Sequence, residues 1–132
     1  MKLRAQAEGL AILATIAAVL AKDTLVKITA NQTVDKAGAN DIVIGRLTKP
    51  ARTASETGTV ETHFKELIEI KTSGAIAAGE RVKSAAADGS GNQRVAKWTS
   101  QTDTVAGDLP DTLFGICWKG GADGATVEIL TY

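Results

Sequence analysis

Residues 74–84, Gly-Ala-Ile-Ala-Ala-Gly-Glu-Arg-Val-Lys-Ser, restate residues 18–28, Ala-Val-Leu-Ala-Lys-Asp-Thr-Leu-Val-Lys-Ile, at a constant spacing of 56 residues. Ile76 answers Leu20, Val82 answers Val26, and upstream the same spacing pairs Ile12 with Ile68. Downstream, Asp41-Ile-Val-Ile-Gly45 is answered by Asp111-Thr-Leu-Phe-Gly115, and Thr59-Val-Glu61 by Thr126-Val-Glu128. The spacing is 70 at Gly45/Gly115 and 67 at Val60/Val127, so the second copy carries a longer insertion before its glycine. Two copies of a strand-turn-strand unit can pack on one another and bury a face that neither buries alone. Two are too few for a solenoid; they predict one pseudo-symmetric β-domain.

Composition agrees with that reading. The chain has 132 residues, one domain's worth, with 15 Lys+Arg against 15 Asp+Glu. This balance gives no electrostatic case for nucleic acid or a membrane surface as partner. Apolar residues make up 44%, yet only two Trp, two Phe and one Tyr contribute, so small and β-branched side chains dominate. Such side chains favour strands, and 13 glycines supply the turns. A single Cys excludes an internal disulfide, and one Cys with one His is too few for a thiolate–imidazole metal cluster.

Lys2 and Arg4 precede an apolar run from Leu10 to Ala21, which superficially reads as a secretory signal. The run is too short to span a bilayer as a helix. Ile12 to Ala21 also aligns with interior residues Ile68 to Ala77, and a removable peptide should not be half of a structural duplication. Met1 to Ala21 is therefore expected to stay in the mature protein.

Strands are expected at 10–16, Thr24–Thr29, Ile42–Leu47, Thr59–Thr62, Glu66–Lys71, Glu80–Lys83, Arg94–Thr99, Thr112–Trp118 and Ala125–Leu130. Asn31–Asn40, Pro50–Gly58, Ala85–Gln93 and Ser100–Asp111 read as polar connections, and Gly120–Gly124 as a glycine loop. The predicted class is all-β, a small barrel or sandwich with an internal two-fold strand duplication. Residues 1–9 form a flexible N-terminal arm and 10–132 a single β-domain, with copies at about 10–62 and 66–130.

No catalytic constellation emerges. His63 is tied to no nucleophile, Cys117 lies in an apolar strand where a buried thiol is expected, and Glu61, Glu66 and Glu69 read as a solvated face. Asp88-Gly-Ser-Gly91 and Gly120-Gly-Ala-Asp-Gly124 lack the Lys-Ser/Thr and following helix of a phosphate loop. Asp123 alone is not a calcium site. A hydrolase or lyase reading fails because nucleophile, base and orienting group cannot all be named. The chain reads as a non-enzyme with no cofactor and no metal. Trp98 and Trp118 stand out in so aromatic-poor a chain, as core plugs or as interface anchors. As a pair they also suit a stacking platform in a carbohydrate- or ligand-binding β-module.

The run Ile76-Ala-Ala-Gly-Glu-Arg-Val-Lys83, a variable loop, Asp111-Thr-Leu-Phe-Gly-Ile116 and the closing Gly124-Ala-Thr-Val-Glu-Ile-Leu130 resemble the small capsid decoration, or cement, proteins of tailed bacteriophages. The first copy fits through Leu25-Val-Lys-Ile-Thr29, Asp41 to Gly45 and Gly58-Thr-Val-Glu61, so the resemblance spans nearly the whole chain from about Ile12. It departs at Lys22-Asp23, where a glycine is expected, and in the long insertion from Ala85 to Leu109. The resemblance implies a virion protein made in the host cytoplasm that docks as a homotrimer on the outer capsid surface and staples major capsid subunits. Multivalent docking needs only a modest patch on each protomer. The open strand edges expected of such a β-domain need pairing or cover. Lys2, Leu3 and Arg4, on an arm that can add a strand to a neighbour, are the leading contact residues, with Trp98 and Trp118 second.

Overall fold

Alternation of β-branched and small residues along each predicted strand closes the chain into two barrels. The computed structural model describes residues 10–62 and 65–131. The first barrel is built from β1 (Leu10–Ile16), β2 (Leu25–Ala30), β3 (Thr33–Lys36), β4 (Gly45–Leu47) and β5 (Glu56–Thr62), in the spatial order β1-β3-β2-β4-β5. The second uses β6 (Leu67–Thr72), β7 (Arg81–Ala85), β8 (Arg94–Lys97), β9 (Leu113–Lys119) and β10 (Thr126–Thr131), in the order β10-β6-β8-β7-β9. One 3-10 turn, Pro110–Thr112, leads into β9.

The two orders are the same order. β1 runs parallel to β3 as β6 does to β8, and every other pairing in both barrels is antiparallel. Register fixes the equivalences. Val26 lies opposite Gly45 and Val82 opposite Gly115; the isolated bridges Leu20/Ala51 and Ile76/Gly121 repeat as well. The duplication read from residues 18–28 and 74–84 is thus a duplication of topology.

Each barrel encloses one cluster of small apolar side chains. Ile16, Val26, Val34, Leu47 and Val60 fill the first, and Val82, Val95, Phe114, Cys117, Val127 and Ile129 the second. Fully burying one such aliphatic side chain stabilises by roughly 1.5–3 kcal/mol. A five-stranded barrel has little interior, which is why so few aromatics are needed. Gly45 and Gly115 serve the same geometry. A Cβ at Gly45 would sit 2.1 Å from the Glu61 carbonyl oxygen; one at Gly115 would sit 2.7 Å from Ile129 Cγ2 and 2.8 Å from the Leu130 carbonyl oxygen.

Several expectations need correction. Asn31–Asn40, read as a polar connection, contains β3, and the Pro50–Gly58 loop gives way to β5 at Glu56. Val60 lies opposite Ile12 while Ile129 lies opposite Ile68, so the counterpart of Val60 is Ile129, not Val127. The missing glycine at Lys22-Asp23 is replaced by Asp23 itself, which adopts φ 65° where Gly79 has 86°. Both donate their backbone N–H to the equivalent carbonyl, Asp23 to Leu47 at 2.9 Å and Gly79 to Cys117 at 2.8 Å. Aspartate is one of the few residues that tolerates this conformation. The expected open edges are also gone: each sheet closes on itself.

Candidate functional site

The barrels meet through side chains that point outward from the first. Val26 faces the interior of barrel one, so its neighbour Leu25 faces away, and it is buried (3% exposed) within the core cluster of barrel two. Val43 packs against the same cluster. Gln93, in the turn before β8, pairs with Leu25 as a strand would: its Oε1 accepts from Leu25 N at 2.9 Å and its Nε2 donates to Leu25 O at 2.6 Å. The Asn40 N–H donates to Ser84 O at 3.1 Å, and Lys36 Nζ donates to Gly91 O.

Arg46 on β4 anchors the polar side of this junction. Its guanidinium makes a bidentate pair with Glu66, Nε to Oε2 and Nη2 to Oε1, both at 2.8 Å. It also reaches Asp23 Oδ1 at 2.7 Å and Glu61 Oε2 at 3.0 Å. The Glu66 hydrogen bonds hold the guanidinium pKa above its ordinary value, against the opposing effect of burial. Bidentate charge-assisted pairs of this kind fix geometry as well as adding energy. Beside the junction lies a cleft of about 1030 Å³ between the Val19–Leu25 segment and the outer face of β6. Lys22, Lys36 and Lys71 alternate there with Asp23, Glu66 and Glu69, so the cleft presents no field of one sign.

The outer face of barrel two is different. Along one row, Leu67 on β6 lies opposite Leu130 on β10, Leu130 opposite Ile116 on β9, and Ile116 opposite Arg81 on β7. Leu67 and Leu130 are 53% and 39% exposed. Directly opposed side chains sit about 4.5–5.5 Å apart at Cβ, so these form one apolar strip. The equivalent row of barrel one is Ala11, Glu61, Arg46 and Leu25, which barrel two covers in part.

Trp118 lies two residues past Ile116 on the same strand. It falls between the pairs Cys117/Ile129 and Lys119/Glu128, the extra residue of a β-bulge. In barrel one, Thr48 N donates straight to Thr59 O after the Leu47/Val60 pair, so the first copy has no such extra residue there. Bulges re-aim side chains, and this one leaves the Trp118 indole 63% exposed. Trp98 is half-buried: its indole N–H donates to Leu109 O at 3.0 Å, and the Arg81 guanidinium lies 5.8 Å from its ring centroid. The second sequence-predicted contact pair therefore occupies the outside of barrel two, Trp98 pinned and Trp118 free-standing. Lys2, Leu3 and Arg4, like the whole 1–9 arm, lie outside the described residues, as does His63.

No protein-family model matches the chain, and no curated protein matches it. The double barrel has a solved counterpart. Its fold is similar to the crystal structure of the N base of head fiber gp8.5 in bacteriophage phi29, with a TM-score of 0.58 at 14% identity. The likeness covers 94% of this chain and 94% of that one.

Cys117 is buried, and burial pushes its thiol above the ordinary range, with the nearby Glu80 carboxylate adding to the effect. A thiol in that state is a poor nucleophile. Sequence reasoning missed the Leu67–Leu130–Ile116 strip because each residue reads singly as strand core. The available signal was phase: Leu67 is out of step with Ile68 and Ile70, and so faces outward.

Proposed function

We propose that this chain is a structural virion protein of a tailed bacteriophage, a homotrimer that decorates the outer surface of the assembled capsid and bridges neighbouring major capsid subunits. The observation that carries the reading is the full-length fold likeness to the phi29 head fiber N base, a likeness that runs through both barrels. The sequence resemblance to capsid decoration proteins points the same way from separate evidence. The outer strip of barrel two supports it further, since exposed contiguous apolar surface marks association sites. Binding to a shell that offers repeated sites at fixed spacing multiplies modest contacts.

The test is co-sedimentation with expanded shells assembled from the major capsid protein of the phage that encodes this chain. The intact protein should pellet with shells and not with free capsid subunits. Deleting residues 2–9 should sharply lower occupancy while leaving the β-sheet circular dichroism unchanged. Unchanged occupancy after the deletion refutes the arm as the contact. Failure of the intact protein to bind any shell refutes the function.

A further inference from the structure

We infer that copies of this chain associate head to tail by repeating between chains the contact that joins the two barrels within one; the inference deepens the trimer reading above and rests on it for the partner's identity. Within the chain, one mouth of barrel two, marked by Glu66 before β6 and Ser84 on β7, is stoppered by barrel one: Leu25 and Val43 enter, Asn40 caps Ser84 O, and Arg46 holds Glu66. Among the described residues, the same mouth of barrel one has no such stopper.

Leu10 stands there in the place of Glu66, since Thr62 Oγ1 donates to Leu10 O as Thr131 Oγ1 donates to Glu66 O. Ile28 stands in the place of Ser84, opposite Val34 as Ser84 is opposite Val95. β1 is parallel and β2 antiparallel to β3, so the start of β1 and the end of β2 share one end of the barrel. Both residues are in phase with the barrel interior, yet Leu10 is 62% and Ile28 63% exposed.

The stopper has its equivalent too. Arg81 takes the place of Leu25, Ile116 that of Arg46, and Trp98 that of Ala37, fixed by Arg81/Ile116 pairing and by Trp98 N donating to Arg81 O as Ala37 N does to Leu25 O. This face carries a guanidinium over an indole, 5.8 Å from its centroid, a weakly hydrated group suited to an interface. The decisive feature is how the two halves change together. Where the intrachain contact sets Arg46 against Glu66, the interchain contact sets Ile116 against Leu10, an ion pair replaced on both sides by an apolar one. Such a heterologous contact closes into a ring when its rotation closes.

Sedimentation velocity on the full chain tests this with two substitutions, Ile28→Glu at the mouth and Ile116→Glu on the stopper, with Arg81→Glu replacing the latter if circular dichroism shows loss of fold. The wild type should sediment as a trimer and each variant as a monomer. A 1:1 mixture of the mouth and stopper variants should form a heterodimer, because one intact contact is restored and no more. A variant that keeps the wild-type assembly, or a mixture that stays monomeric, overturns the inference. A monomeric wild type at micromolar concentration also overturns it, whatever its shell binding. Assembly lost on substitution in a protein that binds no shell upholds this contact and refutes the capsid reading instead.

Discussion

Leu25→Ala is the most direct perturbation of the junction between the barrels. Leu25 belongs to β2 of barrel one, yet it is 3% exposed and packs with Val82, Val95 and Phe114 of barrel two. Leu-to-Ala truncation at buried sites costs about 2–5 kcal/mol, more where the surroundings cannot collapse. At the rim of a barrel partial collapse is available, so a loss of about 3 kcal/mol is expected. For a chain of this length that corresponds to a fall in Tm of roughly 10 °C. The matched control is Leu13→Ala on β1, the same truncation at a side chain that is 72% exposed, which should cost about 0.5 kcal/mol or less. Calorimetry gives the magnitude. Amide exchange gives the location: protection should fall first in β7 and β9, which the substituted strand does not belong to. A Tm loss equal to that of the control, or loosening confined to β1–β5, would refute the packing argument.

Three other outcomes follow from the geometry. Gly45→Ala should destabilise more than Gly115→Ala in urea denaturation, because its Cβ meets backbone at 2.1 Å while the other meets the movable Ile129 side chain first; overpacking of this kind costs about 1–3 kcal/mol or more. Lys83 donates to Asp108 and holds its carboxyl below the usual aspartate range, so Asp108→Asn should cost about 1–2 kcal/mol at neutral pH. A depressed folded-state pKa gives stability that is present above the unfolded value of about 4 and is lost as pH falls through the folded one, so the gap between wild type and variant should close in acid. Cys117 should resist an aromatic disulfide reagent in the native protein and react fully in denaturant, a contrast that spectrophotometry reads directly.

What the sequence disclosed, it disclosed through residues that do one job in both copies. Val26 and Val82 fill the same interior position, and Gly45 and Gly115 permit the same close approach, so both pairs were legible as repeats. The Thr59-Val-Glu61/Thr126-Val-Glu128 match misled by two residues. Strands have a period of two, so a shift by two keeps Val127 facing inward and leaves the pattern undisturbed. β3 hid because only Val34 of its four residues is buried, amid a polar run. Asp23 hid because its backbone, not its chemistry, matches Gly79. The contact surface was harder still. Trp98 and Trp118 drew attention by rarity, but the strip beside Trp118 depends on which strands become neighbours. Leu25 gives no sign in sequence that the core it joins is the other barrel's.

Occupancy of an assembled shell can be seen directly by cryo-electron microscopy of expanded capsids incubated with the intact protein. Density for paired five-stranded barrels is expected on the outer surface, where several capsid subunits meet. Capsids that remain bare, or carry the barrels only on their inner surface, would contradict it.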